Sequence, residues 1–238
     1  MSEPILTSTV RGNRLLNALS GEQMEALRPL LEPVALIKDQ ILVHPDEPAS
    51  HVWFPDRGVI SILSLAEDGA SIEVAIIGRD GMTGAPIVLG GETMIFTALV
   101  QVPGDGQRIQ ASSFRRFIRQ HPAVERVFLR SVLGTMTMMG QNAACSQMHG
   151  VDARCARWLL LTHDDVDNDV FLLTQEYLAT MLGVTRPSVS AAASALQQAG
   201  LIRYSRGLIT VIDRAGLERA ACSCYGLIRR ELDRLLER

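Results

Sequence analysis

Lysine is almost absent from this chain: Lys38 is the only one, and arginine carries the rest of the positive charge. With 23 Lys plus Arg against 26 Asp plus Glu, the net charge of −3 gives no sign of a protein held to a polyanion by bulk charge. Cysteine is scarce as well. Four cysteines in 238 residues, none before Cys145, do not make a disulfide scaffold and point to a reducing compartment. No apolar run approaches the roughly 20 residues that span a bilayer. The N-terminus lacks a basic region followed by an apolar core and cleavage site. A cytoplasmic protein without a membrane partner is the expectation. A phosphate loop, a nucleophile elbow and paired metal-binding histidines are also missing, so no enzyme is expected. His44, His51 and His149 are scattered, and neither a cofactor nor a metal is expected.

What is present is enough apolar residue, 47%, for a substantial core. Residues 1–33 read as a polar lead-in with short helices carrying Leu15, Leu16 and Leu19, then Met24, Leu27, Leu30 and Leu31. From Val34 the period changes to that of strands: Ala35–Ile37, Gln40–Val43, His51–Phe54, Gly58–Leu63, Ser71–Ile77, Phe96–Val102 and Gly106–Ile109. Turn chemistry separates them at His44-Pro45-Asp46, Pro55-Asp56-Arg57-Gly58, Glu67-Asp68-Gly69 and Gly78-Arg79-Asp80-Gly81. Short strands at close spacing predict an antiparallel β-roll of the jelly-roll or double-stranded β-helix kind, with a bend or short helix over Met82–Thr93. Ser112 or Ser113 is the expected cap of a short helix through Phe117 and Ile118.

A long helix is expected over Pro122–His149. Leu129, Val132, Met136, Met139 and Ala143 form one seam. Val124, Phe128, Ser131, Thr135, Met138, Asn142 and Cys145 form another. Both have the alternating spacing of a coiled coil, so one seam is expected to face the roll and the other a second copy of the chain. Phe128, Thr135, Met138 and Asn142 are the residues assigned to the dimer contact. Gly134 and Gly140 mark either a close helix contact or a bend. Met136, Met138 and Met139 read as adaptable packing.

The C-terminal part has the plainest local signals. Thr174 is a good N-cap, Leu178, Met181 and Leu182 make an apolar face, and Gly183 is placed to end the helix. A second helix starts at Thr185–Pro187, buries Val189, Ala192, Ala193 and Leu196, and stops at Gly200. Leu201–Tyr204 and Leu208–Ile212 then alternate as strands around Ser205-Arg206-Gly207. Helix, turn, helix and two-stranded wing make a winged helix-turn-helix, whose usual partner is duplex DNA. With Val189 at the centre of the buried side, Pro187, Ser190, Ala191, Ser194 and Gln198 point outward. Arg186 is the strongest candidate base reader, by a bidentate contact to guanine, with Ser188 and Ser190 as weaker ones. Thr174, Gln175, Ser188, Arg203 and Arg206 are candidate phosphate contacts. Arg186, Arg203 and Arg206 face only Glu176 within 174–212, a local positive surplus in a neutral domain.

This order of elements, with TQEYLATMLGVTRPSV and LQQAGLI as its most specific wording, resembles the CRP/FNR family of bacterial transcription regulators. VWFPDRGVISIL and EVAIIGRDGMTGAP fit the family's cyclic-nucleotide-binding fold more loosely. The resemblance covers nearly the whole chain. It implies an α+β protein with a sensor roll (1–121), a dimerisation helix (122–149) and a DNA-binding domain (150–238). It further implies a homodimer on a palindromic operator, with RNA polymerase as a further partner. The family's base readers match Arg186, Pro187 and Ala191, often Arg, Glu and Arg, and only Arg186 is retained. In members that bind cyclic AMP, a glutamate after a glycine and an arginine about ten residues on hold the nucleotide. Aligned on Gly84, those places fall to Ala85 and to Phe96, with Thr97 its neighbour. An atypical effector site around Gly84, Ala85, Phe96 and Thr97, not responding to cyclic AMP in the usual mode, is expected. The N-terminal cysteines of iron–sulfur members are absent. Cys222-Ser223-Cys224 is expected on a helix, where residues two apart face different sides and no second pair completes a tetrahedral metal site; one buried and one partly exposed cysteine is the expectation, with a redox or metal role as the alternative. The alternative function is a small-molecule or redox sensor whose winged domain binds a protein partner.

Overall fold

The computed structural model describes residues 12–66 and 71–237. The turn expected at Glu67-Asp68-Gly69 lies outside the described residues. Two short helices lead in, α1 (Arg14–Asn17), capped by Asn13, and α2 (Gly21–Leu27), closed by a reciprocal Ser20–Gln23 capping box. Five strands follow: β1 (Glu32–Leu36), β2 (Ile41–Val43), β3 (His51–Leu65), β4 (Ser71–Ile77) and β5 (Thr97–Gln110). They form one antiparallel sheet in the order β1-β5-β3-β4, with β2 also paired to β5. The short helix α3 (Ala85–Val88) fills the expected bend between β4 and β5.

Two strand breaks expected from Pro and Gly are not breaks. Pro55-Asp56-Arg57-Gly58 lies inside β3, and Pro103-Gly104-Asp105-Gly106 inside β5. The two stretches face each other: Pro55 pairs Gly106, Arg57 pairs Asp105, and the register slips on both sides of Arg57. They are bulges, which bend long strands without ending them. Glycine is required there because a Cβ on Gly106 would stand 2.3 Å from the Phe54 carbonyl oxygen. The expected serine cap fails too. Helix α4 (Ala111–Gln120) begins two or three residues earlier, directly off β5, with Gln110 at the N-cap making no side-chain bond. The Ala111 N–H donates to Ser50 O at 2.9 Å, which satisfies the first of the N–H groups left free at the start of the helix.

Helix α5 (Pro122–Met148) has 27 residues and spans about 40 Å. It is followed by α6 (Val151–Asp164), β6 (Val170–Leu172), α7 (Gln175–Leu182), α8 (Arg186–Gln198), β7 (Ile202–Ser205), β8 (Leu208–Val211), α9 (Arg214–Ala220) and α10 (Cys224–Leu236). The residues assigned from sequence to the dimer contact turn inward. Phe128 and Met138 are buried, Thr135 and Asn142 half-buried, and Asn142 donates to Val74 O and accepts from Arg157. Phe54 and Phe114 enclose Phe128, β4 meets Met138 and Asn142, and α10 lies along α5, where a Cβ on Gly134 would come within 2.9 Å of Leu232 Cδ2. Gly134 is thus a close helix contact inside the chain. The face left open is Leu129, Leu133 and Met136, 39%, 45% and 60% exposed, continued by exposed Gly140 and Ala143.

Two cores hold the molecule. Phe54, Phe114 and Phe128 centre one, closed by Leu15 and Leu27 from the leading helices. The other runs from Ile60 and Val100 in the sheet through Trp158 and Leu159 of α6 to Leu178 and Val189. The sheet and the C-terminal helices therefore share apolar interior. Partly buried charge reinforces the joint: Asp80 receives Arg14 at 2.8 Å and Arg229 at 2.7 Å, while Asp164 receives Arg214 at 2.5 Å. Asp165 accepts from the Arg79 N–H at 2.9 Å, and burial beside Asp80 pushes its carboxyl up to about 8. No helix among the described residues is long and apolar enough to cross a membrane.

Candidate nucleic-acid interface

Helix α7 starts where Thr174 Oγ1 accepts from the Tyr177 N–H at 3.1 Å, and it ends at Gly183, whose φ of 61° is left-handed. The chain turns at once into α8. Thr185 caps it, Pro187 stands in its first turn, and Val189, Ala192, Ala193 and Leu196 bury the face towards α6 and α7. The opposite face carries Arg186, Pro187, Ala191, Ser194 and Gln198, all exposed.

The serines assigned as weak base readers have partners inside the domain. Ser188 Oγ lies 2.9 Å from Thr185 Oγ1 at the cap, and Ser190 Oγ donates to Gln175 Oε1 at 2.5 Å. Gln175 therefore braces α7 against α8. Arg186 at the head of α8, Arg203 on β7 and Arg206 are exposed and hold no ion pair among the described residues. This contrasts with Arg14, Arg214 and Arg229, which are neutralised in the joint.

The wing is a two-residue hairpin. Ser205 pairs Leu208, and Arg206 and Gly207 both have positive φ, 51° and 77°, as a type I′ turn needs. Arg206 thus stands at the tip. Two bonds fix the wing to the helices: Tyr204 N–H donates to Gln197 Oε1 at 2.7 Å, and Tyr204 O–H to Leu173 O at 3.1 Å. A third strand, β6, pairs with β8. Sequence reading missed it, although Val170-Phe171-Leu172 places a buried Phe171 between two exposed neighbours.

Residues 153–220 match the Crp-like helix-turn-helix domain, and residues 33–121 the cyclic nucleotide-binding domain, together more than half of the chain. The chain is 24% identical over 203 residues to the HTH-type transcriptional regulator Cmr of Mycobacterium tuberculosis (strain CDC 1551 / Oshkosh), covering 85% of this chain and 82% of that protein. It is also 24% identical over 213 residues to the CRP-like cAMP-activated global transcriptional regulator of the same strain, covering 82% and 91%. The chain belongs to the CRP/FNR family of transcription regulators. FixK2 from Bradyrhizobium japonicum shares the fold, with a TM-score of 0.68 at 19% identity over 81% of this chain and 98% of that one.

Within this CRP/FNR fold Gly84 and Ala85, assigned to an effector site, stand at the start of α3, and Phe96 and Thr97 at the start of β5. Gly84 lies against Val52 and Ala85 packs on the phenylalanine core, whereas Phe96 packs on the other core, where Thr97 is buried on β5. A cluster of enclosed polar groups joins β3, β4 and β5 to α6. Glu73 on β4 takes the Trp158 Nε1–H at 2.7 Å and lies 2.6 Å from Ser61 Oγ, which also contacts Gln101. Burial raises the Glu73 carboxyl to about 7, against the opposing pull of the Ser61 and Trp158 bonds and the Arg157 charge. Cys222 and Cys224 depart from expectation as well. Only Cys224 is in a helix, and both sulfurs turn to the same side, where they meet Cys145 and His149 from the end of α5. An i, i+4 Cys–His pair was visible in the sequence, but its complement lies more than 70 residues away.

Proposed function

We propose that this CRP/FNR protein is a homodimeric, sequence-specific DNA-binding regulator acting in the cytoplasm. The observation that carries the reading is the set of three exposed arginines without ion pairs on one winged domain, at the head of α8, on β7 and at the wing tip. Arg186 enters the major groove and reads guanine, while Arg203 and Arg206 hold phosphates. So little direct readout per subunit calls for paired half-sites, and the exposed stripe Leu129–Leu133–Met136–Gly140–Ala143 has the 4-3-4-3 spacing of a two-helix seam. Residues 1–121 act as sensor and 150–238 as DNA-binding unit. One relative is named as cAMP-activated; here Ala85 and Phe96 replace the carboxylate and guanidinium such a ligand needs, so the effector differs.

Selection of bound duplex from a random pool, then titration of the enriched site across salt concentrations, tests the reading. A palindromic site with a steep salt slope is expected, because phosphate contacts release counterions. No enrichment, with binding indifferent to salt, would sink it. Arg186→Ala should weaken the enriched site by about 1–3 kcal/mol and relax preference at one base pair while sparing most nonspecific binding. An equal loss on every duplex would make Arg186 a phosphate contact instead.

A further inference from the structure

Three of the four cysteines and one histidine left aside by the DNA-binding reading come together at the joint below the winged domain. Cys145 and His149 stand one helical turn apart at the C-terminal end of α5. Cys222 lies between α9 and α10, and Cys224 opens α10. Their four donor atoms all lie within 4.8 Å of one another, and all three cysteines are free and buried. Cys145 Sγ is 3.5 Å from Cys222 Sγ, and Cys224 Sγ is 3.5 Å from His149 Nδ1. A tetrahedral zinc ion, with Zn–S of about 2.3 Å and Zn–N of about 2.0–2.1 Å, sets its ligand atoms about 3.5–3.8 Å apart. Two contacts already meet that spacing.

We propose that Cys145, His149, Cys222 and Cys224 form a tetrahedral site for a single Zn2+-class cation that fastens the end of the long helix to the winged domain. Three thiolates and one imidazole are a donor set suited to a borderline-soft divalent ion. Four protein ligands leave no open position, which makes the role structural.

Two features outside the donor set fit an occupied site. Gln141 Nε2 donates to Cys224 Sγ at 3.0 Å, the outer-shell bond that orients a metal-bound sulfur. Arg157 is a buried guanidinium that donates to Asn142 but holds no ion pair among the described residues. A divalent ion with three thiolates carries one net negative charge, which this cation would balance. Anchorage is firm as well: the Cys222 N–H donates to Ala153 O in the first turn of α6. One ion would therefore tie α5, α6 and the α9–α10 link at the point where the winged domain leaves the long helix.

Titration of the reduced, metal-stripped full chain with Co2+ tests the site, because tetrahedral cobalt gives visible d–d bands and thiolate gives a near-ultraviolet charge-transfer band. One Co2+ per chain is expected, displaced by one equivalent of Zn2+. Cys222→Ser with Cys224→Ser should abolish the charge-transfer band, and Cys155→Ser, buried outside the cluster, should leave it intact. Should the double variant fail to fold, His149→Ala, the most accessible ligand, and Gln141→Ala supply the readout. The first should alter the d–d bands, and the second weaken Co2+ binding by about 10-fold or more. Absence of charge transfer at equimolar Co2+, or bands unmoved by His149→Ala and Gln141→Ala, overturns the proposal.

Discussion

Phe128→Ala is expected to lower the stability of the folded chain by about 3–5 kcal/mol, the usual cost of emptying a large aromatic site. Phe128 is fully buried in the first half of α5. It meets Phe114 edge-on with ring centroids 5.0 Å apart, and Phe54 at 6.0 Å. Those ring contacts add about 0.5–1.5 kcal/mol per pair to the area buried. The sheet, α4 and the long helix are clamped on this ring, so the void cannot close by moving one side chain. The neighbouring substitution Leu129→Ala should behave in the opposite way. Leu129 lies on the open stripe, so the protomer should change by no more than about 0.5 kcal/mol. Its cost should grow with protein concentration if the stripe is the seam between two copies. Denaturant unfolding at several concentrations separates the two. Equal, concentration-independent losses would mean that both residues belong to the protomer's own core.

That pair of neighbours shows where the sequence was legible and where it was not. The helix itself was plain from proline at its start and sustained periodicity. Its faces were not, because apolar residues surround α5 and the faces that turn inward are decided by β4 and by α10, elements distant in the chain. The winged domain was readable almost residue by residue, since each cue is local: Thr174 and Thr185 cap, Gly183 stops α7, and Gly207 permits the hairpin. The roll was readable as strands but not as long ones. Pro55–Gly58 carries turn chemistry, and only the opposing glycines of β5, supplied through pairing, turn it into a bulge. The places of the candidate residues split in the same way. Arg186 at the head of α8 and Arg206 at the hairpin tip were legible from position, whereas the Ser190–Gln175 bond that occupies two other candidates needed the packing of α7 on α8.

Glu73→Gln should stabilise the protein above pH 7 and flatten its pH dependence. Glu73 is fully enclosed where β4 meets α6 and α7, and its carboxyl rises from 4.5 to about 7 through burial. Arg157 and Arg154 of α6 and Tyr177 of α7 are the ionisable groups near it. The folded chain keeps the proton up to about pH 7, whereas the unfolded chain releases it near 4.5. Unfolding therefore releases a proton between those values, and stability falls as pH rises through that window. The full penalty, on the order of 3 kcal/mol, is present above pH 7. Glutamine carries no charge yet keeps the bonds: Oε1 accepts from Trp158, Nε2 donates to Ser61, and the Ser61 hydroxyl stays free for Gln101. Unfolding midpoints compared at pH 5 and pH 8 should show little change at the first and a gain at the second. Asp165, raised to about 8, adds its own slope to both proteins, so the difference between them isolates Glu73. A variant less stable at pH 8 would show an ionised Glu73 held by the arginines of α6. The bond from Glu73 to Trp158 crosses from the roll to the winged domain.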